Sequence, residues 1–356
     1  MEKNQNNQIS SVVQPQFKIP TTRYHGSKAK IVEWIWKNIE NIEFDSFLDA
    51  FGGTGVVGYY MKRKGKKVIY NDYLKFNHII GKALIENNNV TLSMEKFKQI
   101  MKQDENFNYK FIITNNFNNI YYTEEENKWL DIVIQNIQRL VNEYEQAIAF
   151  YVIFQACIIK RPFSLFHRKN LYIRQANVKR SFGNKVTWDK SFEYHSLNFL
   201  NEINHLIYDN CKQNKSLNLD VFQLPKTIDL VYLDPPYTSS KGESVDYRNF
   251  YHFLEGICMY DKWENFIDRK VKNKRLIPKY NPWNDKNKIS ILFKQIIEYF
   301  KDSIIVISYR NDGIPSIETI CDYLKLYKNK VLVNHYKNYK YALSNSRTSE
   351  ILIIGY

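Results

Sequence analysis

One short stretch carries groups suited to gripping a planar exocyclic amine: residues 231–237, Val-Tyr-Leu-Asp-Pro-Pro-Tyr. Its apolar start suits a buried strand, which Pro235 and Pro236 must end because proline can neither extend a sheet nor enter a helix interior. Asp234 and the Pro235 carbonyl can each accept a hydrogen bond from an amine, and Tyr237 offers a face on which a ring can stack. Open α/β sheets bind ligands at such strand ends. An ordinary strand followed by a Pro-Pro turn is the competing interpretation of this motif alone.

A glycine-rich turn upstream predicts a site for an adenosine-bearing cofactor. Residues 47–51 read as a strand, 53–58 as Gly-Thr-Gly-Val-Val-Gly, and 56–63 as a helix. Asp72 follows the next strand, 68–70, where an acid can hold a ribose diol. A dinucleotide and S-adenosylmethionine both fit, and a purely structural turn is the alternative. Hydride transfer needs an acid or base beside a carbonyl substrate, whereas methyl transfer to an amine needs groups that orient the amine. The motif at residues 234–237 provides such groups and therefore favours methyl transfer.

Taken in chain order, the motifs resemble those of Dam-like, α-class N6-adenine DNA methyltransferases. Residues 24–28, Tyr-His-Gly-Ser-Lys, resemble the N-terminal cofactor motif of that family, and residues 47–55 resemble its main cofactor loop. Residues 71–72 resemble the family's motif with the acid that holds the cofactor's ribose. Residues 220–222 resemble the segment that binds the cofactor's adenine, and residues 234–237 resemble the catalytic tetrad. The resemblance implies a bacterial restriction-modification enzyme that uses S-adenosylmethionine.

The resemblance also implies roles for individual residues. The residues expected to bind the cofactor are Tyr24, Lys28, Asp49, Phe51, Gly53, Gly55, Asp72, Asp220, Phe222 and Asp234. The catalytic residues are expected to be Asp234, Pro235, Pro236 and Tyr237. Many relatives carry Trp where Tyr24 stands, and the partner of Asp49 is open between the methionine amine of the cofactor and the backbone of the loop. No histidine or cysteine has metal-ligand spacing, so no metal is expected.

The pattern of elements predicts an α/β fold, a Rossmann-like S-adenosylmethionine-dependent methyltransferase sheet with helices on both faces. Strand and helix patterns alternate in residues 21–85 and in 206–356, which we assign to two parts of the methyltransferase core. Residues 86–205 are helical and basic, and we predict a mainly helical, inserted target-recognition domain there. Residues 1–20 are polar, which predicts a flexible tail and no secretory signal.

Basic and aromatic side chains interleave in residues 160–190, where Asp189 is the only acid. Basic groups contact phosphates and arginine can read guanine edges, so this stretch predicts contact with duplex DNA. The residues predicted to bind DNA are Arg161, Arg168, Lys169, Arg174, Lys179, Arg180 and Lys185. A solvated basic face with core aromatics is the alternative. A second basic stretch, 262–288, fits either a DNA-closing loop or an ordinary lysine-rich loop.

Composition and charge agree with a nucleic-acid partner. The 356 residues carry a net charge of +14, which attracts polyanions, although an AT-rich coding bias would also raise the lysine content. No run of about 18 uninterrupted apolar residues is present, so no membrane partner is expected. The four cysteines are scattered without a CxxC pair, which fits a reducing bacterial cytoplasm.

Together these features predict a sequence-specific methyltransferase that modifies the exocyclic amine of a flipped adenine in duplex DNA. A separately encoded restriction endonuclease is an expected partner. Two alternatives stay open: a methyltransferase that acts on adenine in RNA or on another exocyclic amine, and a non-catalytic DNA-binding module. Asn as the first residue of the tetrad would have favoured a protein glutamine as the substrate, and Ser would have favoured cytosine. Asp234 in this position therefore favours adenine.

Overall fold

The structure is a computed structural model that describes residues 24–178, 185–239, 245–336 and 349–356. Its strands, in chain order, are β1 (Ser46–Asp49), β2 (Lys67–Asn71), β3 (Lys215–Leu217), β4 (Leu230–Leu233), β5 (Thr238–Ser239), β6 (Ile304–Arg310), β7 (Gly313–Ile314), β8 (Val331–Tyr336) and β9 (Glu350–Gly355). Seven of these described strands form one sheet in the order β3-β2-β1-β4-β6-β9-β8, and β5 pairs with β7 in a separate antiparallel ribbon.

The strand directions confirm the predicted α/β, Rossmann-like class. Parallel pairing joins β3, β2, β1, β4 and β6, whereas β9 is antiparallel to both of its neighbours, β6 and β8. Because β1 pairs with β2 on one side and with β4 on the other, the strand order reverses beside β1. Ligands bind at the carboxyl ends of the strands at such a reversal. The glycine loop after β1 and the tetrad after β4 therefore leave the sheet side by side.

Fourteen α-helices accompany these strands in the described ranges. They are α1 (Val32–Ile39), α2 (Val56–Arg63), α3 (Lys75–Gly81), α4 (Met94–Ile100), α5 (Ile112–Asn116), α6 (Glu124–Gln138), α7 (Glu143–Ile159), α8 (Leu171–Gln175), α9 (Lys185–Asp189), α10 (Phe192–Leu206), α11 (Tyr247–Phe250), α12 (His252–Ile257), α13 (Ile289–Tyr299) and α14 (Ile317–Lys325). Side-chain caps explain several starts: Thr123 and Glu126 form a capping box at α6, and Asn142, Ser191 and Ser316 cap α7, α10 and α14.

The core consists of two apolar layers, one on each face of the sheet. Side chains alternate along a strand, so Phe47 and Tyr232 face one layer while Leu48 and Val231 face the other. Helices α1, α2, α3, α6, α7, α10 and α12 contribute to the first layer, and α13 and α14 contribute to the second. The predicted helix at 56–63 is α2, and the strands predicted beside it are β1 and β2. Strand β3 was not predicted, since three residues are too few to show alternation.

The helices of the predicted insert share the core of the sheet. Buried residues of α6, α7 and α10, such as Leu130, Ile148 and Leu200, belong to the same apolar cluster as Phe47 and Tyr232. The domain division at residues 86 and 205 therefore stays a prediction, and the tail at 1–20 lies outside the described residues. None of the described helices has both the length and the apolar character needed to cross a bilayer.

Candidate active site

A cavity of about 280 Å³ opens at the carboxyl ends of β1, β2 and β4. The structure brings most of the predicted site residues together around it: Tyr24, Lys28, Asp49, Phe51, Gly53, Asp72, Asp220, Asp234, Pro235, Pro236 and Tyr237 all line its wall. Segments that are far apart in sequence converge here because parallel strands end at one edge of a sheet. The described residues contain no cluster of three His, Cys, Asp or Glu side chains that could hold a metal.

The glycine loop after β1 brings backbone close to the cavity. A Cβ atom on Gly52 would lie 2.0 Å from the ring of Tyr70, so no side chain fits at that position. Gly53 has φ +51, a left-handed conformation that favours glycine, and a Cβ there would meet only Tyr24, at 3.8 Å. The backbone at Gly53 therefore leaves room for a ligand to approach.

Two acids, the buried Asp49 and the half-buried Asp72, brace this loop. Asp49 accepts a hydrogen bond from the Gly58 amide over 2.9 Å, in the first turn of α2, and burial raises its pKa to about 8. Asp72 accepts hydrogen bonds from the amides of Gly53 and Leu74, both over 2.8 Å, and burial raises its pKa to about 6. The structure thus gives Asp49 a backbone partner, one of the two possibilities left open by the sequence.

Aromatic rings form one wall of the cavity. Tyr24 stacks on Tyr251 with ring centroids 4.4 Å apart and planes within 4°, and Tyr247 lies parallel on it at 6.1 Å. Two further rings that line the cavity, Phe51 and Trp283, pack edge to face with their centroids 5.0 Å apart. Flat apolar surfaces of this kind suit a planar ligand.

Asp234, the first residue of the tetrad, belongs to a network of charged and phenolic groups. The Lys28 ammonium lies 3.1 Å from Asp234 Oδ1 and 3.1 Å from Glu350 Oε1, and it donates to the Tyr237 hydroxyl over 2.8 Å. That hydroxyl donates in turn to Asp234. Burial raises the pKa of Asp234 to about 6; Lys28 opposes this shift and Glu350 adds to it. Lys28, expected at the cofactor, is thus also bonded to the catalytic loop.

Two predicted cofactor residues do not line the cavity. Gly55, with φ +72, is the N-cap residue of α2 and shapes the loop from behind. Phe222 packs edge to face on Tyr299, with ring centroids 5.8 Å apart, and its neighbour Val221 lines the cavity instead. Phe222 turns away because residues 221–223 form a short 3₁₀ helix, capped by Asp220, that directs consecutive side chains to different sides.

Sequence reasoning missed several residues of the site. Asn77 lines the cavity and its buried Oδ1 has no hydrogen-bond partner, while its Nδ2 donates to the Tyr24 hydroxyl over 3.1 Å. Trp283 also lines the cavity. It lies in the second basic stretch, which was interpreted from its lysines and arginines as a possible DNA-contacting loop. Glu350 had a usable signal, since it is the one charged residue of the apolar strand β9. No short motif links any of them to the tetrad.

The structure corrects the predicted DNA-binding role of Arg161. Its side chain is buried, 2% exposed, and its guanidinium donates to the carbonyl oxygens of Leu165, Arg168 and Tyr121 and to the side chain of Asn170. A guanidinium enclosed in this way has no surface to offer a phosphate. Arg161 therefore organises the loop that follows it.

Arg174 is corrected for the same reason. Its side chain is 7% exposed, and the guanidinium pairs with both carboxylate oxygens of Glu126, at 2.9 and 2.7 Å. Lys160 also contacts Glu126, at 2.9 Å, so the three residues form a buried ion-pair cluster. The basic count of residues 160–190 thus includes charges that are neutralised inside the protein.

Other predicted DNA-binding residues remain available at the surface. Arg168 and Lys169 are exposed, and Lys185 is partly exposed and pairs with Asp189 at 3.3 Å. Lys179 and Arg180 lie outside the described residues. Lys169 shares a surface depression with lysines 272 and 274 of the second basic stretch and with asparagines 115, 116 and 118.

Several known proteins have sequences similar to that of this chain. The family described as D12 class N6 adenine-specific DNA methyltransferase matches residues 24–310. The Type II methyltransferase M2.HphI of Haemophilus parahaemolyticus is 30% identical, over 89% of this chain and 90% of that protein. The modification methylase StsI of Streptococcus sanguinis and the Type II methyltransferase M.FokI of Planomicrobium okeanokoites are each 29% identical, over 85% of this chain and 46% of their own length. The chain thus spans less than half of these two relatives.

The matched range includes the glycine loop, the acid after β2 and the tetrad after β4. It confirms the family resemblance and the enzyme class predicted from the order of the motifs. It also decides against the dehydrogenase interpretation of the glycine turn, against RNA as the substrate and against a non-catalytic module. The chain belongs to the D12 class of N6 adenine-specific DNA methyltransferases.

Proposed function

We propose that this methyltransferase binds S-adenosylmethionine over the glycine loop and methylates the exocyclic amine of an adenine that is flipped out of duplex DNA. One observation carries the proposal: Asp234 and Pro235 line the same cavity as the glycine loop and Asp72. An amine held by the tetrad and a cofactor held by the loop therefore share one enclosed space.

The residues present fit this cofactor. Asp49, Asp72 and Asp234 line one cavity, and after burial itself the other two acids raise the pKa of Asp49 further. Such a cluster favours a ligand that carries positive charge, as the ammonium and sulfonium of S-adenosylmethionine do. The buried Oδ1 of Asn77 lacks a partner and can accept a hydrogen bond from a ligand. Gly53 leaves the backbone open to it.

Each group has a defined task in this assignment. Asp72 holds the ribose hydroxyls, and Tyr24, Phe51 and Asp220 bound the space for the nucleoside, with Lys28 and Asp49 at the methionine end. The bound cofactor supplies an electrophilic methyl group on a sulfonium. No residue of the chain needs to form a covalent bond during the reaction.

The tetrad prepares the target amine. Asp234 and the Pro235 carbonyl each accept one of its N–H protons, which pulls the nitrogen toward tetrahedral geometry and localises its lone pair. Pro236 keeps the loop stiff, and the ring of Tyr237 lines the cavity where the flipped base can stack. Asp234 stabilises the positive charge that develops on the nitrogen, so catalysis combines positioning with preorganised electrostatics.

Flipping the adenine costs a few kcal/mol of stacking and pairing, which contacts to the rest of the duplex must offset. We assign phosphate contacts to Arg168, Lys169 and Lys185, and to Lys272 and Lys274. Lysines from two distant segments meet in one surface depression, where Lys169 and Lys272 are exposed and Lys274 is partly exposed. Phosphate contacts position the duplex without reading its sequence.

Replacing Lys169, Lys272 and Lys274 together with glutamine is expected to weaken duplex binding and flatten its salt dependence. Each lost phosphate contact lowers the slope of log K against log salt by about 0.9, so the triple variant loses up to about 2.7. Fluorescence anisotropy of a labelled duplex at several salt concentrations measures this slope. Lys67→Gln is the matched control, since Lys67 is exposed at the first position of β2, at the sheet edge opposite the cavity. An unchanged slope in the triple variant would reject the phosphate assignment.

The names of the relatives suggest a biological setting. The StsI relative is called a modification methylase, and the HphI and FokI relatives are called Type II methyltransferases. We assign this chain a modification role alongside a separately encoded restriction endonuclease. Sequencing that detects modified bases in DNA from cells expressing the chain tests the whole proposal. We expect N6-methyladenine in one short sequence context, absent when Asp234→Ala is expressed; methylation of cytosine alone would overturn it.

A further inference from the structure

Strand β9 begins with a buried charge that the proposed chemistry does not use. The Glu350 side chain is 0% exposed, and the other five residues of the strand are apolar or glycine and equally buried. A buried carboxylate is unfavourable unless it is paired and hydrogen-bonded. Glu350 meets both conditions, because the Lys28 ammonium lies 3.1 Å from it and the Ser308 hydroxyl donates to it.

The sheet itself fixes the position of this carboxylate. Strands β6 and β9 pair antiparallel with Arg310 opposite Glu350, so Ser308, two residues before Arg310, faces the same side of the sheet. The guanidinium of Arg310 forms a bidentate pair with Asp312, at 2.8 and 2.7 Å. Glu350 is thus anchored from the strand that follows β4 in the sheet order, next to the strand that carries the tetrad.

Lys28 links this anchor to the catalytic loop. An ammonium has three donor protons, and Lys28 has three acceptors within 3.1 Å: Glu350, Asp234 and the Tyr237 hydroxyl. Its side chain is only 4% exposed. If Glu350 were absent, one of these acceptors would be missing and the ammonium could rotate away from Asp234.

The sum of the charges has a chemical consequence. Asp234 and Glu350 together carry two negative charges against the single positive charge of Lys28, so the group is net negative when all three are ionised. A sulfonium cofactor is a cation, whereas its demethylated product, S-adenosylhomocysteine, is neutral at sulfur. A neutral Lys28–Asp234 pair would not distinguish the two by charge, while a net negative group favours the cation.

We propose that Glu350 is a positioning residue that acts through Lys28, holding the ammonium against Asp234 and making the buried group net negative toward a cationic cofactor. This inference rests on the proposed function, since that function assigns the target amine to Asp234 and a sulfonium to the cavity. Ser308 holds Glu350 in turn. A residue of β9 thereby positions a lysine that contacts the catalytic loop, which lies more than a hundred residues earlier in the chain.

Ligand discrimination in Glu350→Gln tests the charge directly and needs no turnover. Glutamine keeps the shape and an acceptor for Ser308 but removes the charge. Calorimetry is expected to show the preference for S-adenosylmethionine over S-adenosylhomocysteine falling on the order of tenfold, the size of a screened interaction with one unit charge at an effective dielectric constant of about 20. A ratio equal to that of the wild-type protein overturns the proposal.

The pH profile of the rate gives a second readout. Asp234 contacts Lys28 and Tyr237 directly. Asp49, Tyr232, Tyr247 and Glu350 are the other ionisable groups that influence it, through electrostatic interaction. Asp234 must be ionised to act, so the wild-type rate falls as the pH drops through about 6, the value to which burial raises its pKa. Glu350 pushes this pKa up, and the glutamine carbonyl still offers the Lys28 ammonium an acceptor, so the acid limb of Glu350→Gln is expected at lower pH. A limb at the wild-type position counts against the proposal.

Two further variants separate positioning from stability. Ser308→Ala keeps the charge of Glu350 but removes its hydrogen bond, so we expect kcat to fall about tenfold, as for the loss of a hydrogen bond to a charged group, with the ligand ratio unchanged. This variant decides the matter if Glu350→Gln does not fold: an unaltered kcat overturns the proposal. Glu126→Gln, in the other buried ion-pair cluster, is the matched control and should leave the ligand ratio and the acid limb in place. A wild-type protein that does not methylate adenine would instead overturn the proposed function.

Discussion

Asp234→Ala is expected to abolish detectable methyl transfer while duplex binding stays close to that of the wild-type protein. The carboxylate is the one charged acceptor that the tetrad offers to the target amine, and it stabilises the positive charge that develops there. Removing a single preorganised electrostatic group of this kind lowers kcat by about 10²–10³. The loss of amine positioning adds to that effect. Single-turnover methylation and duplex binding, measured on the same preparation, separate the two steps.

The surrounding network explains why this variant should still fold. When Asp234 is removed, Lys28 keeps Glu350 as a buried counter-ion at 3.1 Å, so the Lys28 ammonium retains an ion-pair partner. Asp234→Asn is the matched control, because the amide keeps the shape and a carbonyl acceptor but lacks the charge. We expect it to retain more activity than the alanine variant. Wild-type rates in Asp234→Ala would remove Asp234 from the reaction altogether.

The convergence of the glycine loop and Asp72 on one cavity was predictable from sequence because these parts are close together in the chain. The loop around Gly53 follows β1 and Asp72 follows β2, within one compact α/β unit. The spacing of the glycines and the acid along the chain therefore predicts that they lie close together. Glu350 and Trp283 were not accessible in this way. Trp283 reaches the cavity, and Glu350 reaches Lys28, only through loop packing and sheet order, which no short motif encodes.

Charge along the chain was a weaker guide than motif order. Arg161 and Arg168 lie in the same basic stretch, yet the first is buried and the second exposed. A linear count cannot separate the two, because burial depends on partners such as Tyr121 and Glu126 that come from α6 and the residues before it. The same limitation applies to Arg174. Net charge predicts attraction to a polyanion but does not say which side chains make the contacts.

Arg161→Ala is expected to lower the free energy of unfolding by about 3–5 kcal/mol, because several buried oxygen atoms lose their hydrogen-bond donor at once. The guanidinium lies 4.4 Å over the ring of Tyr121 and satisfies carbonyl oxygens at Leu165, Arg168 and Tyr121. Its removal leaves several buried acceptors unpaired, each costing about 1–3 kcal/mol. Urea denaturation followed by circular dichroism measures the change. Arg161→Lys should recover little of it, because an ammonium cannot reproduce the planar fork of donors.

Arg168→Ala is the matched control, and its pattern should be the reverse. Arg168 is exposed and only its backbone carbonyl contributes to the Arg161 network, so truncation should change stability by less than about 0.5 kcal/mol. If its side chain contacts a phosphate, the slope of log K against log salt flattens by about 0.9. Arg161→Ala, by contrast, should leave that slope unchanged in the folded fraction. A flattened slope with unaltered stability in Arg161→Ala would return Arg161 to the DNA-contacting residues, because a guanidinium that only organises its own loop cannot release counterions from DNA.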